Sequence, residues 1–110
     1  MRAADYQRSL TEREFQERVI ARARTRGWLV HHTRPCQRAD GRWTTPVEGN
    51  AGFPDLVIAR EGLVLFRELK TDTGRLTPAQ RHWLEMLPNA EVWRPGDWLE
   101  VEAIIDGEAS

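Results

Sequence analysis

Two carboxylates and an ammonium, Asp55, Glu68 and Lys70, are the residues of this 110-residue chain whose types and spacing could do chemistry. They sit on two short apolar runs, residues 55–60 and 63–70, split by Glu61-Gly62, a two-residue hairpin signal. Such a turn sets Arg60 opposite Leu63, and counting back along both strands brings Asp55 opposite Glu68. Directly opposed residues have Cβ atoms roughly 4.5–5.5 Å apart on one face. Alternation puts Lys70 on that same face, with Val57, Ala59, Val64 and Phe66 as its apolar remainder.

Opposed like charges destabilise a strand pair, and an apolar surround adds a desolvation cost. A hard divalent cation reverses the sign of both effects. Mg2+ takes oxygen ligands and commonly uses one or two carboxylates while keeping several waters. Such an ion makes water more acidic and polarises a phosphate oxygen. Lys70 would then orient or help deprotonate the attacking water, or steady the charge growing on the phosphate. The plain alternative is a turn aspartate after Pro54 and a Glu68–Lys70 ion pair at a strand end.

The elements that must position these groups are legible in outline. Thr11-Glu12-Arg13-Glu14 reads as a capping box that opens a helix running to about Arg26 and stopping at Gly27. Phe15, Val19 and Ala23 share its apolar stripe with Ile20 at the edge, and the polar Glu12 and Gln16 fall inside that stripe. Residues 28–33 read as a strand. Residues 34–52, rich in Pro and Gly, read as a long loop of the kind that carries function, and residues 1–10 as a flexible lead-in. Thr77 and Pro78 open a second helix whose stripe is Ala79, Trp83 and Met86/Leu87. Residues 90–94 read as a last strand, and Asp97 as the cap of a short acidic helix to Ile105. The expected fold is a single α/β domain over residues 1–110, a mixed sheet flanked by helices in the order αβββαβα.

Composition narrows the class. With 40% hydrophobic and 30% charged residues the chain reads as a soluble globular protein, and it has neither a membrane-length apolar run nor a secretory signal. Cys36 is the only cysteine, which excludes an internal disulfide and a cysteine zinc cluster and points to a reducing cytoplasm. The net charge of −1 hides an asymmetry: residues 1–45 carry ten Arg against five acids, and residues 46–110 six basic groups against twelve acids. This polarity suits an oriented approach to phosphates, or it reflects arginines that merely solvate the first helix.

The run Gly52-Phe53-Pro54-Asp55, then Glu68-Leu69-Lys70, then Leu76-Thr77-Pro78-Ala79-Gln80 and Trp83, resembles the virus-type replication-repair nuclease (VRR-NUC) domain. That domain belongs to the restriction-endonuclease-like, PD-(D/E)XK superfamily, and the resemblance extends from the first helix to Pro95. It implies that Asp55 and Glu68 bind Mg2+ or Mn2+ with the backbone carbonyl of Leu69, and that Lys70 is the catalytic lysine. Gln80 matches the family's glutamine beside the site, and it equally fits a capping box with Thr77. The superfamily commonly places an acid on the first helix. Here Gln16 stands at that position, with Glu12 as the nearby substitute or as a helix N-terminal charge.

His31 and His32 point to opposite faces, and His32 is the better candidate to meet the scissile phosphate. Arg34, Arg38 and Arg42 with Trp43 are candidates to grip phosphates and stack on an unpaired base, or they belong to a solvated loop. The resemblance implies a DNA endonuclease selective for branched structures such as four-way junctions, working as a homodimer in a prokaryotic or phage-infected cell. Trp93, Trp98 and the last helix are candidates for the dimer interface. A monomeric nicking or flap nuclease is the rival of the same chemistry, and a non-catalytic DNA-binding module the rival of another class.

Overall fold

A computed structural model describes residues 10–33, 36–37, 39–44 and 48–107. Its elements are α1 (Glu12–Thr25), β1 (Leu29–His32), β2 (Cys36–Gln37), β3 (Trp43–Thr44), β4 (Leu56–Arg60) and β5 (Leu63–Leu69). They are followed by α2 (Pro78–Met86), β6 (Ala90–Trp93), a 3-10 turn (Pro95–Asp97) and α3 (Trp98–Asp106). The main sheet has the order β1-β4-β5-β6, with β6 parallel to β5 and the other pairs antiparallel. This is the α/β, restriction-endonuclease-like arrangement expected. One departure is β2 and β3, which pair as a small antiparallel ribbon within the segment expected to be loop. Two-residue strands carry too little periodicity to be read from sequence.

Both expected capping boxes are present. Thr11 and Glu14 exchange hydrogen bonds at 3.1 Å each, and Thr77 and Gln80 do so at 2.9 and 3.1 Å. Glu61 and Gly62 both have positive φ, 52° and 84°, as a type I′ turn requires, so Arg60 pairs with Leu63 and Leu56 with Arg67. The side chain of Asp97 makes no cap hydrogen bond, because the 3-10 turn brings the chain into α3 instead.

The core is one cluster in which Phe15, Val19 and Ala23 of α1 and Val101 and Ile105 of α3 meet Leu56, Ile58, Leu65 and Leu69 of the sheet. Those sheet residues alternate with Val57, Ala59, Val64 and Phe66. The face shared with Asp55 and Glu68 is therefore the more open one, and Val64 is 38% exposed. The apolar stripes of α1 and α3 pack on the opposite face. Leu10, at the end of the expected flexible stretch, packs into the core, while residues 1–9 lie outside those described. Trp93 and Trp98 are buried within this core and cannot form the interface expected of them.

Three arginines of the basic half, Arg18, Arg22 and Arg26, are engaged with the last helix. Arg22 and Arg26 bind Asp106 at 2.6 and 2.9 Å. The Arg18 guanidinium lies 4.5 Å over the Trp98 ring. Arg60 lies 4.4 Å over Trp28 and donates to the carbonyls of Arg26 and Ile105. Arg60 ends the strand that Asp55 precedes, so Arg22, Arg26 and Arg60 brace the end away from the carboxylates.

Candidate functional site

Backbone and aromatic contacts together deliver Asp55. Gly52 has φ +99°, and a Cβ there would lie 2.6 Å from the Ala79 carbonyl carbon, so only glycine lets this segment press on the start of α2. Phe53 meets Phe66 and Trp83 edge-on, with ring centroids 5.9 and 5.0 Å apart. The Trp83 indole N–H donates to the carbonyls of Asn50 at 3.3 Å and Ala51 at 3.0 Å. Asp55 itself follows the buried Pro54, and its carbonyl accepts the Thr33 N–H at 3.0 Å. Across the hairpin, the Leu69 N–H donates to Asp55 Oδ2 at 3.2 Å.

Glu68 is 1% exposed, and both its carboxyl oxygens are buried without a hydrogen-bond partner. Its pKa is pushed up to about 9, first by burial and then by the carboxyl of Asp55, while the charge of Lys70 opposes the rise. An orphaned acid beside a second acid is costly in a purely structural role. It fits the donor set of a hard divalent cation, with the Leu69 carbonyl as the candidate third ligand. Among the described residues no group of three or more His, Cys, Asp or Glu side chains is placed to hold a metal. Two carboxylates, a carbonyl and waters are what this site offers, which is within the habit of Mg2+.

Around this pair the expected residues divide. Glu12 and Gln16 line a cavity of about 710 Å3 together with Thr33, Trp43 and Asp55. Burial, and next the charge of Asp55, raise the pKa of Glu12, whereas Lys70 lowers it, so the first helix does bring an acid toward the site. Gln80 lines a second cavity of about 810 Å3 that also reaches Asp55, while its Oε1 accepts the Thr77 N–H. Cap and site neighbour are thus one residue. Trp43 is 69% exposed on the rim of the first cavity.

Two of the remaining candidates, among the described residues, stand apart from the carboxylates. His32 pairs with Leu56 and so shares the α1 side of the sheet, not the face of Asp55 and Glu68. Arg42 is exposed and tied to Asp40 at 3.6 Å. Arg34 and Arg38 lie outside the described residues. One contributor had no sequence signal: Arg94 donates to the carbonyls of Thr71 and Gly74 at 2.6 and 2.7 Å, bracing the turn that follows Lys70. Asp72 in that turn accepts the Gly96 N–H at 2.8 Å. Contacts of a side chain with backbone some twenty residues away leave no local pattern.

The family model of the VRR-NUC domain matches residues 35–93, more than half of the chain. The chain belongs to the VRR-NUC family. It is a nuclease domain, and the matched span holds Asp55, Glu68, Lys70 and Gln80 but not α1, a narrower extent than the resemblance suggested. No curated protein and no solved structure matches it. No helix of the VRR-NUC chain, among the described residues, is long and apolar enough to cross a membrane.

Proposed function

We propose that this VRR-NUC domain is a divalent-metal-dependent endonuclease that hydrolyses phosphodiester bonds in DNA. The observation that carries the reading is Glu68, buried and without a partner at both oxygens, beside Asp55 at the meeting of two cavities. Asp55, Glu68 and the Leu69 carbonyl would hold Mg2+ or Mn2+, which supplies Lewis-acid polarisation of the phosphate and more acidic water. The Leu69 N–H on Oδ2 orients Asp55 for this. Lys70 lends its positive charge to the phosphate and keeps a proton donor near the reacting oxygens. Glu12 and Gln16 close the α1 side of the site and are the groups to orient a water there.

A branched substrate such as a four-way junction, cut by a twofold dimer, is the use we infer for this chemistry. The rival is a monomeric nicking or flap nuclease; Trp93 and Trp98 are buried in the core, and of the interface first expected the last helix, with Leu99 83% exposed, is the part left to meet a partner. The experiment offers labelled four-way junction, flap, duplex and single-stranded DNA with Mg2+, Mn2+ or chelator, to wild type, Asp55→Ala and Lys70→Ala. Metal-dependent cutting that both variants lose supports the site. Symmetric junction cuts by a dimeric protein support the resolvase, and flap cuts by a monomer its rival. Metal-independent binding of DNA without any cutting would replace the catalytic reading with a binding module.

A further inference from the structure

The cavity of about 810 Å3 between residues 48–53 and α2 differs in chemistry from the carboxylate centre it adjoins. Among the described residues no Lys or Arg lines it, and Glu48 does. Among its described lining residues a phosphate chain would meet two acids, Glu48 and Asp55, and no cation, which disfavours the charged backbone as the occupant. The walls suit a flat, uncharged group with polar edges. Phe53 and Trp83 supply aromatic surface, and Asn50 and Gln80 supply amides. With its Oε1 engaged by Thr77, Gln80 has its side-chain NH2 group to offer.

These aromatics are also held before any ligand arrives. The Trp83 indole is anchored to the Asn50 and Ala51 carbonyls. Phe53 is gripped by Phe66 and Trp83 yet remains 41% exposed. A ring with fixed position and open surface loses little freedom when a second ring stacks on it.

We propose that this cavity binds one unpaired nucleobase next to the phosphate held at Asp55 and Glu68. The inference rests on the reading of those carboxylates as a phosphodiester-cleaving centre, and it names what that centre selects. Bases in continuous duplex keep their faces in the stack, and extracting one costs unpairing and unstacking energy. Bases at a flap, a branch or a single strand present theirs freely. Selectivity for unpaired strands then comes from the Phe53 cavity, not from the reacting groups.

The test uses a DNA flap carrying all its bases or a single abasic nucleotide, placed in turn at each position of the unpaired strand and the branch. Cleavage is read with wild type in Mg2+, and binding by fluorescence anisotropy with Lys70→Ala, which does not turn the substrate over. One abasic position is expected to lower both by about tenfold, within the range of base–aromatic stacking. Phe53→Leu should fold, as circular dichroism will show, and should lose that difference. Asn50→Ala, whose backbone carbonyl still holds Trp83, should reduce it. Equal handling of complete and abasic flaps by wild type overturns the proposal, as does an undiminished difference in both variants. If wild type cuts nothing while binding still discriminates the abasic flap, the cleavage reading fails and the base cavity stands.

Discussion

Leu69 donates its N–H to Asp55 Oδ2 at 3.2 Å, so the residue between Glu68 and Lys70 is tied directly to the opposing carboxylate. Hairpin geometry thus holds the carboxylate of Asp55 against the strand that carries Glu68 and Lys70.

The stability of the metal-free protein should fall as pH rises. Glu68 has a folded pKa raised to about 9 from an ordinary 4.5, chiefly by burial. The folded state therefore keeps a proton that the unfolded chain gives up. That contribution is fully present below about pH 4.5 and is lost as pH climbs through about 9. Thermal melts in chelator from pH 5 to pH 9 should show a declining Tm, flatter in Glu68→Gln. Added Mg2+ should release protons on binding and raise Tm most at high pH. A pH-independent Tm in chelator would refute the buried acid.

Gly52→Ala should both destabilise the fold and impair cleavage. The residue has φ +99° and its added methyl would meet the Ala79 backbone at 2.6 Å. A cost of about 2 kcal/mol or more follows from the strained backbone and the clash. Urea unfolding measures the first effect. Single-turnover rates on the molecules still folded measure the second, because the same shift displaces Asp55.

Arg94→Ala should act on the rate more than on substrate affinity. Its loss frees the carbonyls of Thr71 and Gly74 and loosens the turn behind Lys70. We expect a destabilisation of about 2 kcal/mol and a roughly tenfold fall in kcat with KM little moved. A change confined to Tm would make Arg94 a structural brace alone.

Asp106→Asn should weaken the fold at neutral pH and spare the chemistry. Hydrogen bonding to Arg22, and then to Arg26, holds the Asp106 carboxyl below its ordinary pKa of 3.8. The stabilisation is present above that value and is lost as pH falls through the lower folded one. Wild type and variant should therefore converge in Tm at acid pH and differ at pH 7. Cleavage per folded molecule should be equal, since the pair lies at the far end of the sheet.

The hairpin, both capping boxes and the opposition of Asp55 and Glu68 were readable because each is local. Glu61-Gly62 sets the register within two residues, and Thr11 and Thr77 announce their helices three residues ahead. What depends on contacts across the fold was not readable. Which sheet face lies under α1 and α3 is decided by packing, so Val57 and Leu56 look alike until the helices are placed. The arginines of the first helix look like a phosphate-binding stripe until Asp106 and Trp98 are seen beside them. Trp93 and Trp98 looked available for a partner for the same reason. Gln80 could be read both ways, and in the structure it is both.

The type I′ turn at Glu61 and Gly62 has a consequence for how this site can change. Because side chains alternate across a strand, the site is encoded by parity. A slip of one residue in β5 would set Asp55 against Arg67 or Leu69 and swing Glu68 into the helical side of the sheet. Lengthening the turn while β4 and β5 keep their pairing leaves every carboxylate where it is. The distal loop is thus free to grow, carrying new contacts to a substrate or a partner, while a single misplaced residue between Leu63 and Glu68 would break up the proposed active centre with its composition intact.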